Sequence, residues 1–262
     1  MPRPQTTWML LLAAVLSCAG PREAVPGRSG SAAGSGAPST RVVSVPPRPA
    51  ESPRSPRSPR PFARLPEESY FLEIALGSEY GLGDFTIKRW AEDVRVEVVG
   101  YPTAEDLATL REVLAELNEL VGREVRVYPV PSDGNLRVHF IPHDDFYRYE
   151  PSGVVFFGGF FWNWWNAAGE IVRGRVVIGS DRLTASQRKH LIREEITQVM
   201  GLMNDSEKYP ESIFYQGYSE THTYAPLDRL LIRMLYSDAL RPGMTLMDLD
   251  RVLPELYRTA FH

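Results

Sequence analysis

His190-Leu191-Ile192-Arg193-Glu194-Glu195-Ile196-Thr197-Gln198-Val199-Met200-Gly201-Leu202-Met203-Asn204-Asp205 is the stretch on which the fold reading turns. On a helix, Glu194 and Gln198 are four residues apart and share a face, with Glu195 one step round at its edge. His190 sits one turn before Glu194 on roughly the same face. Gly201 permits a sharp backbone turn just after the helix, which places Asn204 and Asp205 to fold back beside it. Thr184 and Gln187 have capping-box spacing, so this helix is expected to run from about Thr184 to Met200.

Upstream, Val94-Arg-Val-Glu-Val-Val99 alternates and predicts a strand, as do residues 124–129, 135–141 and 171–179. Thr103 and Asp106 open a helix with an apolar stripe of Leu107, Leu110, Leu114, Leu117 and Leu120, ended by Gly122. Residues 67–77 read equally as a short helix or a strand. Downstream, helices are expected over about 224–237 and 245–258. The pattern is that of an α+β domain covering residues 66–262, a small mixed sheet packed on the long motif-bearing helix, with helices at the C-terminus.

The run from Glu194 to Asn204 resembles the H-E-x-x-H-x-x-G-x-x-H/D motif of the metzincin zinc peptidases. The resemblance puts Glu194 and Gln198 at the first two ligand positions, Glu195 at the general base, Gly201 at the glycine and Asn204 at the third ligand. It extends to Ser212-Ile-Phe-Tyr215, which looks like the Met-turn with Phe214 in place of methionine, and to Leu227–Tyr236 as the closing helix. The stretch is also similar to a family of bacterial secreted proteins of unknown function that shares the run Glu-Glu-x-x-Gln-x-x-Gly-Leu-x-Asn-Asp.

The departures decide the expected chemistry. Zinc prefers nitrogen and sulfur ligands, whereas these positions carry one carboxylate and two amides. No zinc is therefore expected, and no cofactor. An oxygen-only set suits a hard cation such as calcium or magnesium, at low affinity. His190 either shares a cation with Glu194 or pairs with it as an i,i+4 partner. A hydrolase built on Glu195 would need a polarised water, with Arg193 and His190 as sources of positive charge. Otherwise Glu194, Glu195, Gln198, Asn204 and Asp205 form a polar network in a non-catalytic binding or scaffold module.

Other residues leave further readings open. Phe156-Phe-Gly-Gly-Phe-Phe-Trp-Asn-Trp-Trp165 is either a loop whose rings stack on cell-wall glycan or a hairpin packed in the core, with Gly158 and Gly159 at the bend. His139 falls in a strand. His143 follows a proline beside Asp144 and Asp145, a metal cluster or a solvated turn. His222 is within reach of the helix site.

The N-terminal part differs in kind. Trp8–Ser17 is an apolar run of signal-peptide length after Arg3, and Val15-Leu-Ser-Cys18 resembles a bacterial lipobox. That implies export to the cell envelope, anchored in the outer membrane by a lipid on Cys18, the only cysteine; ordinary signal cleavage nearby is the alternative. Residues 19–65 are rich in Pro, Ser and Arg and are expected to form a disordered tether. Of the formal charge of −4, residues 1–18 carry +1 and residues 19–65 carry +6, which leaves −11 on residues 66–262. A domain this acidic is a poor partner for nucleic acid, so the expected partners are the membrane, cell-wall glycan or an envelope protein.

Overall fold

The computed structural model describes residues 64–77, 85–123, 125–150 and 158–261. Cys18, the apolar run before it and nearly all of the proline-rich segment lie outside these residues, as do Phe156 and Phe157. Among the described residues no helix is long and apolar enough to cross a membrane.

The ambiguous stretch at 67–77 is a helix, α1 (Pro66–Leu76), opened by a proline whose fixed φ suits a first helical turn. It buries Tyr70, Phe71 and Ile74 completely. A two-residue strand β1 (Arg89–Trp90) precedes β2 (Val94–Gly100). Helix α2 (Ala104–Leu120) starts where expected, with Thr103 and Asp106 bonding each other's backbone amides. Strand β3 (Val127–Val130) begins later than the strand predicted over 124–129, and β4 (Leu136–Ile141) is followed by a 3-10 helix at His143–Arg148.

From Gly159 onward the aromatic segment is a strand, and the hairpin does not turn at Gly158 and Gly159. It forms strand β5 (Gly159–Trp165), and the hairpin to β6 (Glu170–Gly179) turns at Asn166–Gly169 instead. Asn166 explains that position: its side-chain oxygen accepts from the amides of Ala168 and Glu170 and closes the turn locally.

The sheet is mixed. Strands β3, β2, β4 and β6 run parallel in that spatial order, and β1 extends the pairing on the early part of β6. Strand β5 pairs antiparallel along the other side of β6. Helices α2 and α3 (Ala185–Gln198) cover one face over Val96, Val138, Val176 and Ile178, with α4 (Pro226–Leu235) and α5 (Leu246–Phe261) beyond them. On the opposite face, the 3-10 helix brings Phe146 against Ile141, Phe160 and Val177 in a small second cluster. The α+β expectation thus holds, with β1, β5 and the 3-10 helix added to it.

Helix α3 is tied at both ends. Thr184 and Gln187 cap its start reciprocally. At its end, Trp90 Nε1 donates to the Val199 carbonyl at 3.0 Å and Tyr236 Oη to the Met200 carbonyl at 2.8 Å. These are carbonyls that the helix itself leaves without partners. Gly201 then turns at φ +119° so close to the Lys88 carbonyl that an added Cβ would lie 2.2 Å from its oxygen. The glycine is thus required by backbone geometry alone.

Candidate functional site

The motif side chains lie along the α3 face that meets the start of β5 and the loops after the helix. His190 has an acceptor at each ring nitrogen: the Thr221 carbonyl 2.9 Å from Nδ1, and Glu194 Oε2 3.3 Å from Nε2. A carbonyl and a carboxylate can only accept, so this arrangement favours the imidazolium. Burial opposes the charge, but Glu194, the Thr221 carbonyl and more distant Glu220 outweigh it and raise the pKa above its ordinary value. A ring engaged this way offers no lone pair to a metal.

Glu195 is 6% exposed and lies under the first residue of β5. A Cβ on Gly159 would stand 3.0 Å from Glu195 Oε1, so the strand's backbone occupies the space over the carboxylate. Gln198, 2% exposed, donates through Nε2 to Asp205 Oδ1 at 2.6 Å.

Asn204 does not join them in the way its spacing suggests. Its Nδ2 donates to the Glu73 carbonyl at 3.2 Å and to the Asp205 carbonyl at 3.0 Å, and its amide donates to the Ile74 carbonyl. Asn204 therefore caps the end of α1, pressed against Gly77, where a Cβ would meet its Cγ at 2.5 Å. Asp205, one residue later, is the group beside Gln198. Lys208 pairs with Glu73 and holds the loop to α1 from outside.

Arg193 faces away from Glu195. It is 1% exposed and reaches Glu116 at 2.9 Å and Glu112 at 3.2 Å on α2, with its guanidinium 4.6 Å from the Tyr224 ring. Glu116 also accepts from Arg229 at 2.8 Å, so one carboxylate links α2, α3 and α4. Arg193 is a structural cation and cannot polarise a water at Glu195. The sequence-based role for it is overturned because α2 packs on that side of α3.

The turn at Ser212–Tyr215 is anchored by Asp228 of α4. This fully buried carboxylate accepts from Ser212 Oγ at 2.6 Å, from the Ile213 amide at 3.1 Å and from the Ala225 amide at 2.8 Å. Tyr70 donates to Ser212 in turn. Burial raises the Asp228 pKa despite these bonds. Phe214 is fully buried among apolar neighbours and brings no polar group to the site.

The remaining histidines are dispersed. His143 bonds Asp181 at 2.8 Å, while Asp144 pairs with Arg182 and Asp145 with Arg148, so the three adjacent residues diverge. His222 Nε2 lies 2.9 Å from Ser186 Oγ, whose proton goes to Glu220 Oε2 at 2.7 Å. A serine donating to a carboxylate is not an activated nucleophile. The tryptophans divide by strand alternation. Trp162 and Trp164 face the sheet side opposite the helices, and Trp165, past a bulge, is exposed near Lys88.

The residues at the ligand positions do not fit zinc. Glu194 is held by His190, Gln198 by Asp205 and Asn204 by α1, and the donor set is oxygen throughout. Among the described residues, no group of three or more His, Cys, Asp or Glu side chains is gathered as a metal site would need.

Two structures of myroilysin are similar to this chain at 11% identity. One has a TM-score of 0.37 and covers 58% of this chain and 83% of its own; the other has 0.39, with 68% and 99%. Likeness at this level says nothing about chemistry. No curated protein matches the chain. The family described as protein of unknown function (DUF2927) matches residues 67–255, and the chain belongs to that family.

Proposed function

We propose that this protein is an envelope-anchored binding or scaffold module, built on a metzincin-like domain whose peptidase site has become a structural polar network. The observation that carries this reading is the engagement of the ligand-position side chains. Glu194 bonds His190, Gln198 bonds Asp205, Asn204 caps α1, and Glu195 lies beneath the Gly159 backbone. Glu194 is taken up within α3 by His190, whose other ring nitrogen faces the Thr221 carbonyl, while Gln198 and Asn204 tie α3 and α1 to the loop after the helix. Buried polar groups of this kind must be satisfied or they destabilise the core, which gives them a reason to persist without catalysis.

Export and anchoring rest on the sequence around Cys18, and the proline-rich stretch would hold the domain off the membrane. Mass spectrometry of the mature N-terminus checks this part: a lipid-modified Cys18 supports it, and an unmodified N-terminus beyond residue 18 refutes it. The central claim is checked by titrating the purified protein with zinc, calcium and magnesium and assaying peptide hydrolysis. No stoichiometric binding and no cleavage support the module. Stoichiometric metal lost in Glu194→Ala, together with cleavage lost in Glu195→Gln, would establish a hydrolase instead.

A further inference from the structure

The sheet face turned away from α3 carries a cavity of about 530 Å³ whose polar lining is cationic although the domain is acidic overall. Its cations come from alternate positions of two neighbouring strands. Arg137 on β4 is the register partner of Arg175 on β6, and Arg173 lies two residues before Arg175. Like charges placed directly opposite on one sheet face repel, so this pairing is destabilising unless something answers it. Glu97 does so in part, bonding Arg137 at 3.2 Å, and Glu150 acts on Arg175 at longer range. Among the described residues Arg173 has only the face of Trp164, at 3.9 Å, and Arg175 lies 5.2 Å from the same ring. Arg175 Nη1 also donates to the Tyr149 carbonyl at 3.2 Å. Trp164 therefore gathers two guanidinium groups at one ring, and the N–H groups of Arg173 have no acceptor among the described residues.

A second observation comes from His139. It lines the same cavity, is 8% exposed, and its Nδ1 has no hydrogen-bond partner among the described residues. Buried nitrogens normally have partners. The ring packs beside Tyr149 at 4.7 Å. Burial, then Arg175 and Arg137, push its pKa down to about 4, with Glu97 opposing, so it is neutral at pH 7 and adds no charge of its own. The cavity thus combines fixed positive edges with one neutral, unsatisfied polar atom, at a size that suits a small molecule.

We infer that this cavity binds a small organic oxyanion, a carboxylate or phosphate ester, with Arg173, Arg175 and Arg137 on the anionic group and His139 Nδ1 on a neutral polar group of the same molecule. The inference is independent of the reading of the α3 site.

The test is titration of the full chain in low-salt buffer with citrate, glucose 6-phosphate, inorganic phosphate and glucose, followed by tryptophan fluorescence and calorimetry. The expected result is saturable binding of citrate or glucose 6-phosphate, weakened about tenfold or more in Arg173→Ala, as loss of a charge-assisted contact implies. Arg173 is exposed and among the described residues stacks only on Trp164, so this variant keeps the fold, which an unchanged circular dichroism spectrum would confirm. His139→Phe should weaken the organic anions more than inorganic phosphate. No saturable binding of either organic anion overturns the proposal. So does binding unchanged in Arg173→Ala, or glucose binding as tightly as glucose 6-phosphate. Inorganic phosphate binding as tightly as glucose 6-phosphate overturns the assignment of an organic ligand.

Discussion

Replacing Glu194 by Gln keeps the shape of the side chain and removes its charge beside His190. The two groups are 3.3 Å apart, with side-chain exposures of 9% for His190 and 14% for Glu194, so solvent screens them little. A charge-assisted hydrogen bond in such a place contributes about 1.5–3 kcal/mol. Its loss should lower the His190 pKa, because burial opposes the charge and Glu194 no longer answers it. The sign for stability follows. The folded pKa of His190 is raised, so the pair's contribution is fully present below the unfolded value of about 6.5 and is lost as pH rises through the folded value. Glu194→Gln should therefore cost about 1.5–3 kcal/mol at acidic pH, a fall in Tm of roughly 3–12 °C for a domain of this size, and much less at alkaline pH. NMR titration of His190 and urea melts at the two pH values measure both quantities. An unchanged His190 titration, or equal destabilisation at both pH values, would refute the assignment of Glu194 to His190.

Gly201→Ala combines a φ of +119° with a Cβ 2.2 Å from the Lys88 carbonyl oxygen, whereas Gly122→Ala at φ +80° meets open space. Urea melts should show about 1–2 kcal/mol lost in Gly122→Ala and at least about 3 kcal/mol in Gly201→Ala; equal losses would contradict the backbone origin of the motif glycine. Asp228→Asn leaves Ser212 Oγ, already accepting from Tyr70, facing an amide donor, and calorimetry should register a loss of about 1–3 kcal/mol. His139 is held down to about 4, so its contribution is present above pH 6.5 and is lost as pH falls toward 4. Acid unfolding of His139→Phe should accordingly show a shallower decline across that interval than the native chain.

The parts of this protein that the sequence determined by itself are those specified within a few neighbouring residues. The Thr184–Gln187 and Thr103–Asp106 boxes name their helix starts because cap and partner lie three residues apart. Leucine spacing marks the buried stripe of α2, and alternation marks β2 and β4. The aromatic segment stayed open between a loop and a core hairpin because alternation cannot be read where both kinds of position are aromatic, and the hairpin turns at Asn166, whose side chain closes it, instead of at Gly158 and Gly159.

Tertiary structure alone decided the partners that polar side chains take beyond their own turn of chain. Spacing along α3 puts Asn204 at a ligand position, but the end of α1 supplies the Glu73 carbonyl, and that contact draws Asn204 away and leaves Asp205 to Gln198. Arg193 is a free cation in the sequence and a buried link once α2 brings Glu112 and Glu116 beneath it. The cluster of Arg137, Arg173, Arg175 and His139 exists only because β4 and β6 pair in one register. A helix fixes directions over one or two turns, whereas partners far apart in the chain are set by which elements bury their apolar faces together.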